Sequence, residues 1–150
     1  MKVAVGCDHG GIVLKDEIMT FLKDNGYEVI DFGTDSTKSV DYPDYGLKVA
    51  EAVKDGIADR GIVMCGTGIG IGITANKVPG IRCAIVSDVY SAQMTREHND
   101  ANMIALGGRT LGPGLAVTIV EKFLTTEFSH GERHQNRINK IAEAEKKYSK

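Results

Sequence analysis

The chain has 150 residues, 42% hydrophobic and 25% charged, an ordinary globular balance that allows one domain with a sizeable core. A net charge of −2 leaves no basic footprint for nucleic acid, and no run reads as an apolar leader or reaches membrane-spanning length. Three cysteines, Cys7, Cys65 and Cys83, follow no framework spacing, which predicts free thiols in a reducing cytoplasm.

No linker, repeat or low-complexity segment interrupts residues 1–150, so a single domain is expected. Apolar, β-rich runs predict strands at 2–7, 27–32, 60–65, 81–86 and 103–106. Between them the pattern predicts helices at 11–25, 43–55, 70–77, 88–98 and 113–125, and a polar, charged helix at 132–147. That last helix has little apolar stripe in its first half, so it is expected to lie on a neighbouring subunit. Continuous apolar strands alternating with helices indicate an α/β domain whose parallel sheet is covered on both faces. Ligands of such sheets bind outside the carboxyl ends of the strands.

The first strand ends in Cys7-Asp8-His9-Gly10-Gly11. Asp8 is placed to cap the next helix and His9 to sit at its positive end, or Asp8 orients a bound hydroxyl while His9 faces a phosphate. The third strand runs Gly61-Ile62-Val63-Met64-Cys65 straight into Gly66-Thr67-Gly68-Ile69-Gly70-Ile71-Gly72. Glycines let a backbone turn several N–H groups toward one point, where they hold an anion or oxyanion. A cysteine at the lip of such a loop is either a small buried hydrophobe or a nucleophile or base. Here the helix start beyond it favours thiolate over thiol. Cys83, inside Arg82-Cys83-Ala84-Ile85-Val86, reads as core.

Gly70 to Ala75 also matches G-x-G-x-x-A, with Asp88 at a plausible distance, the basis for a rival dinucleotide-binding module. The run is not in the first strand–helix unit and its helix is short, which counts against that reading. Glu97-His98-Asn99-Asp100 closes the fourth predicted helix, where a charged imidazole is favoured; the segment is a plain polar turn or a proton-transfer group. Gly107-Gly108-Arg109 ends the last strand. Arg133 and Arg137 stand four apart on one helix face, either a solvated pair or two forks for a phosphate dianion.

Asp8-His9-Gly10-Gly11, Asp41-Tyr42-Pro43, Cys65 to Gly70, Ala75-Asn76-Lys77, Tyr90-Ser91-Ala92, His98-Asn99-Asp100, Gly107-Gly108-Arg109 and Arg133-His134-Gln135-Asn136-Arg137 occur in this order. Together they closely resemble the type B ribose-5-phosphate isomerases, in a family that includes galactose-6-phosphate and allose-6-phosphate isomerases. The resemblance covers nearly the whole chain. It implies a three-layer α/β/α Rossmann-like domain with a five-stranded parallel sheet of order 2-1-3-5-4, needing no metal or organic cofactor. It also implies a homodimer whose sites draw on both subunits; a tetramer is the other state in view. By the same resemblance Cys65 is the catalytic base, Thr67 relays protons between substrate oxygens, and His98, assisted by Asp8, opens the furanose ring. Gly66, Thr67, Gly68, Ile69 and Gly70 match the anion hole. Asp8, His9, Asn99, Arg109, Arg133 and Arg137 match substrate-binding positions, with His9 and the arginines directed at phosphate. One branch of the family replaces the cysteine by a glutamate at the position of Ile71; this chain falls on the cysteine side. The expected activity is ribose 5-phosphate isomerisation, with a six-carbon sugar phosphate as the alternative substrate.

Overall fold

The computed structural model describes all residues, Met1–Lys150. Its elements run β1 (Lys2–Cys7), α1 (Ile12–Asp24), β2 (Glu28–Asp31), α2 (Tyr42–Lys54), β3 (Arg60–Cys65), α3 (Ile69–Ala75), β4 (Cys83–Ile85), α4 (Val89–Asn99), β5 (Met103–Gly107), α5 (Pro113–Thr125) and α6 (Glu132–Tyr148). The five strands form one parallel sheet in the order β2-β1-β3-β5-β4.

Side chains alternate across a strand, so each strand feeds two cores. Val3, Val5 and Cys7 of β1, Ile62 and Met64 of β3, and Ile104 and Leu106 of β5 pack into the larger core with α1, α4 and α5. Ala4, Val63, Cys65, Met103 and Ala105 face the other side, against α2 and α3. In α1, Leu14, Ile18 and Leu22 recur every fourth residue and are fully buried, one stripe on the sheet. Each such side chain contributes about 1.5–3 kcal/mol of burial. The two cores make the α/β/α sandwich implied above.

The sixth helix, α6, closes the chain. It packs on α4 of its own chain through His134 and Ile138, and Glu145 accepts from the Gly80 N–H at 3.1 and 3.2 Å. Its remaining faces are exposed.

Candidate active site

The register of the sheet places the chemistry. Cys7 pairs with Met64, and Cys65 with Gly107, so Asp8, the Cys65 loop and Arg109 all follow adjacent strand ends. The loops are stitched together by backbone bonds. Asp8 N–H donates to Met64 O (3.1 Å), Gly108 N–H to Cys65 O (2.8 Å) and Arg109 N–H to Gly66 O (2.9 Å).

Cys65 is buried with the smaller core, yet its sulfur turns to the loop, where Sγ accepts from the Gly68 N–H at 3.1 Å. Gly68 takes φ of +79°, and a Cβ there would stand 2.8 Å from the Leu106 carbonyl carbon. Only glycine meets both demands, so the sequence fixes this turn. Thr67 and Ile69 of the same loop are exposed and Gly66 is half-buried, so the cradle opens to solvent. The Thr67 hydroxyl accepts from the Ile69 N–H at 3.2 Å. Two N–H groups of the expected anion hole are thus held by the loop's own side chains. The Arg109 guanidinium lies over the loop: a methyl on Gly66 would be 3.5 Å from its Nη1.

Asp8 is buried, and its Oδ1 accepts from Gly10 and Gly11 N–H at 2.8 and 3.0 Å. It therefore shapes the turn before α1, whose N-cap is Gly11 and not Asp8. Oδ2 takes part in neither bond. His9 is half-buried, and its Nδ1 accepts from the Val40 N–H at 3.2 Å. Nδ1 acts as acceptor, so Nε2 carries the N–H and is the free donor. The loop bringing Val40 there is anchored by buried Lys15, whose Nζ meets Thr34 O (2.8 Å), Asp35 (2.8 Å) and Asp31 (2.9 Å). Burial opposes that charge, but hydrogen bonds to Asp35 and Asp31 hold the Lys15 pKa above the ordinary lysine value.

The other predicted residues do not join this group within one chain. Helix α4 runs back from the carboxyl end of β4 and ends at Asn99, just before Met103. Met103 pairs with Gly61, at the amino end of the sheet, whereas Gly107 pairs with Cys65. That step of strand alone spans roughly 13 Å at ~3.3 Å per residue. His98 and Asn99 therefore sit at the opposite end of the sheet from Cys65. Arg133 and Arg137 are with them, because α5 also runs back to that end before α6 begins. The His98 and His134 rings stack at 4.4 Å with planes 9° apart, and both arginines are exposed on the adjoining face. His134 was not singled out by the sequence; nothing in the spacing of residues 98 and 134 signals that they meet.

A cavity of about 570 Å³ adjoins this second cluster and not Cys65; Ile81, Arg82, Asn99 and Ile141 are in its wall. It offers no proton-abstracting group. Burial pushes its Cys83 thiol up to about 12, and its Glu145 is tied to Gly80.

The dinucleotide reading loses both its supports. Gly70 to Ala75 lies inside α3, where Gly70 packs under the Tyr42 ring and Gly72 against Ile85. Asp88 caps α4 by accepting from Ser91 N–H at 2.7 Å, a bond that holds its carboxyl below the usual carboxylate range.

Comparison with known proteins decides the family. Residues 3–141 match the model of the ribose/galactose isomerase family. The chain belongs to that family. It is an enzyme, an aldose–ketose isomerase of sugar phosphates. It is 49% identical to ribose-5-phosphate isomerase B of Escherichia coli, over 97% of each chain. The solved ribose-5-phosphate isomerase B of Clostridium thermocellum superposes with a TM-score of 0.97 at 63% identity, covering 99% of this chain and 100% of that one. That of Mycoplasma genitalium, solved with bound ribulose-5-phosphate, gives 0.91 at 38% identity, covering 97% and 96%. No helix of this isomerase is long and apolar enough to cross a membrane.

Proposed function

We propose that this isomerase interconverts ribose 5-phosphate and ribulose 5-phosphate through an enediolate, in the cytoplasm, with Cys65 as the base. The observation that carries the reading is the sulfur itself. It ends a buried strand and is held at 3.1 Å by a loop N–H, in a loop whose Thr67 is exposed.

The ring opens first: His98 gives a proton to the ring oxygen while Asp8 takes one from the anomeric hydroxyl. The Cys65 thiolate then removes the proton from C2 of the open aldehyde, and the electron pair passes to O1. Loop N–H groups not engaged within the chain stabilise the enediolate, each such donor being worth about 3–4 kcal/mol. Thr67 carries the proton from O2 to O1, and the Cys65 thiol returns its proton to C1. A single base suffices because the two carbons are adjacent. His9 Nε2–H, Arg109, Arg133 and Arg137 hold the phosphate.

The active unit is a homodimer. One chain holds the Cys65 cradle and the His98–arginine cluster at opposite ends of its sheet, and a second copy brings the one to the other. The exposed faces of α6 belong to that interface, and Asn99 enters the site with His98.

In Cys65→Ala, turnover of ribose 5-phosphate falls about 10²–10⁴-fold, the range for loss of a general base, while the fold is kept. Near-full turnover removes Cys65 from its role. Faster turnover of allose 6-phosphate or galactose 6-phosphate by the unaltered enzyme overturns the choice of substrate.

A further inference from the structure

The stacked pair His98 and His134 is more rigidly built than a surface contact requires. His98 is in the last turn of α4 and His134 in the first turn of α6. The segment between α5 and α6 is fastened to the end of α4. Ser129 N–H donates to Glu97 O at 3.2 Å, next to His98 in the chain. Arg96, buried to 3% exposure, donates through Nε to Thr126 O (3.1 Å) and through Nη1 to Ala101 O (2.7 Å) and Asp100 (2.8 Å). These bonds fix where α6 starts relative to the His98 ring.

The two rings lie nearly parallel, 9° apart, with centroids at 4.4 Å, a stacked pair. His9 is oriented by a hydrogen bond from Val40, whereas no hydrogen bond within the chain reaches the His98 ring. Stacking sets its plane and leaves both ring nitrogens for a ligand.

We propose that His134 is a positioning residue, whose ring face holds the His98 imidazole in the plane from which it opens the sugar ring. The proposal rests on the ring-opening role assigned to His98 above. Electrostatics support the pairing. Burial, then the neighbouring charges of His98, Arg133 and Arg137, hold His134 below the ordinary histidine range, with Glu97 opposing in part. His134 is therefore biased toward its neutral form, and two stacked imidazolium charges are avoided. His134 supplies a flat face and no proton.

The test uses His98→Ala, His134→Ala and His134→Phe. It reads kcat/KM for ribose 5-phosphate, and the Kd of 5-phosphoribonate, an aldonate whose C1 carboxylate cannot form the hemiacetal ring. His134→Ala is expected to lose at least about tenfold in kcat/KM with Kd changed less than about twofold, and His134→Phe to recover most of the loss. Equal losses in both readouts overturn the proposal, because His134 is then only an anchor for α6 and its arginines. Failure of phenylalanine to rescue overturns it also, since a ring nitrogen is then required, as does unchanged kcat/KM in His134→Ala. The underlying reading fails separately: it falls if His98→Ala turns over ribose 5-phosphate at the unaltered rate, whatever the residue at 134.

Discussion

The three cysteines show how position on one sheet separates reactive from inert thiols. Cys7 points into the larger core, where burial pushes its thiol up to about 11. Burial alone takes Cys83 to about 12. Both are neutral at physiological pH and poor nucleophiles. Cys65 is as buried as Cys83, but its sulfur meets a loop N–H beside exposed residues. Iodoacetamide at about pH 8 should therefore alkylate Cys65 at least about tenfold faster than either other cysteine, as followed by peptide mass spectrometry. Equal labelling of the three would show a closed cradle. Arg137 has a different role in this account, as a charged fork on the phosphate. Its replacement by alanine should raise KM roughly 10–100-fold, matching about 1.5–3 kcal/mol for a charged hydrogen bond, with kcat nearly kept. An unchanged KM would place its guanidinium in solvent.

At the level of elements, the hydrophobic pattern makes the fold legible: each of the five strands and six helices lies within a few residues of its expected place. The differences have local causes. β4 begins at Cys83 because the Asn76 side chain brackets that residue, accepting from its N–H and donating to its carbonyl, both at 2.8 Å. β2 begins at Glu28 because Tyr27 N–H still closes the end of α1 on Leu22 O. Strand order was carried by family resemblance, since no periodicity encodes which strands pair. The Cys65 loop was legible because its glycines and thiol are contiguous. The position of His98 followed from topology, as a crossover helix must run back to the amino end of the sheet. Its stack with His134 was not legible, because it depends on how α6 returns over α4. That contact has a pH signature. His134 titrates below the ordinary 6.5 when docked, chiefly because it is buried. The undocked helix binds its proton first, so docking is complete above about pH 6.5 and weakens as pH falls through the lower value. Hydrogen exchange in α6 should be faster at about pH 5.5 than at about pH 7.5 after correction for intrinsic rates, and His134→Phe should remove the difference. Equal protection at both pH values in the unaltered protein would show that His134 does not carry the docking.

For the whole molecule, the decisive feature is that one chain carries its two clusters of candidate residues at opposite ends of the sheet. The Cys65 cradle, Asp8, His9 and Arg109 occupy the carboxyl end of the sheet. His98, Asn99, Arg133 and Arg137 occupy the end where β5 begins. Neither half performs the proposed chemistry alone: one has a base without a ring-opening acid, the other a phosphate clamp without a base. The proposed symmetric dimer would pair each cradle with its partner's helix cluster and so create two equivalent sites. The most direct measurement is complementation between Cys65→Ala and His98→Ala. Each variant alone should be nearly inactive on ribose 5-phosphate. After unfolding and refolding the two together in equal amounts, half the dimers are mixed and each has one intact site, so activity should return to about a quarter of that of the unaltered enzyme. If the mixture stays as inactive as its components although mixed dimers form, the base and the acid belong to the same chain, and the shared site is contradicted.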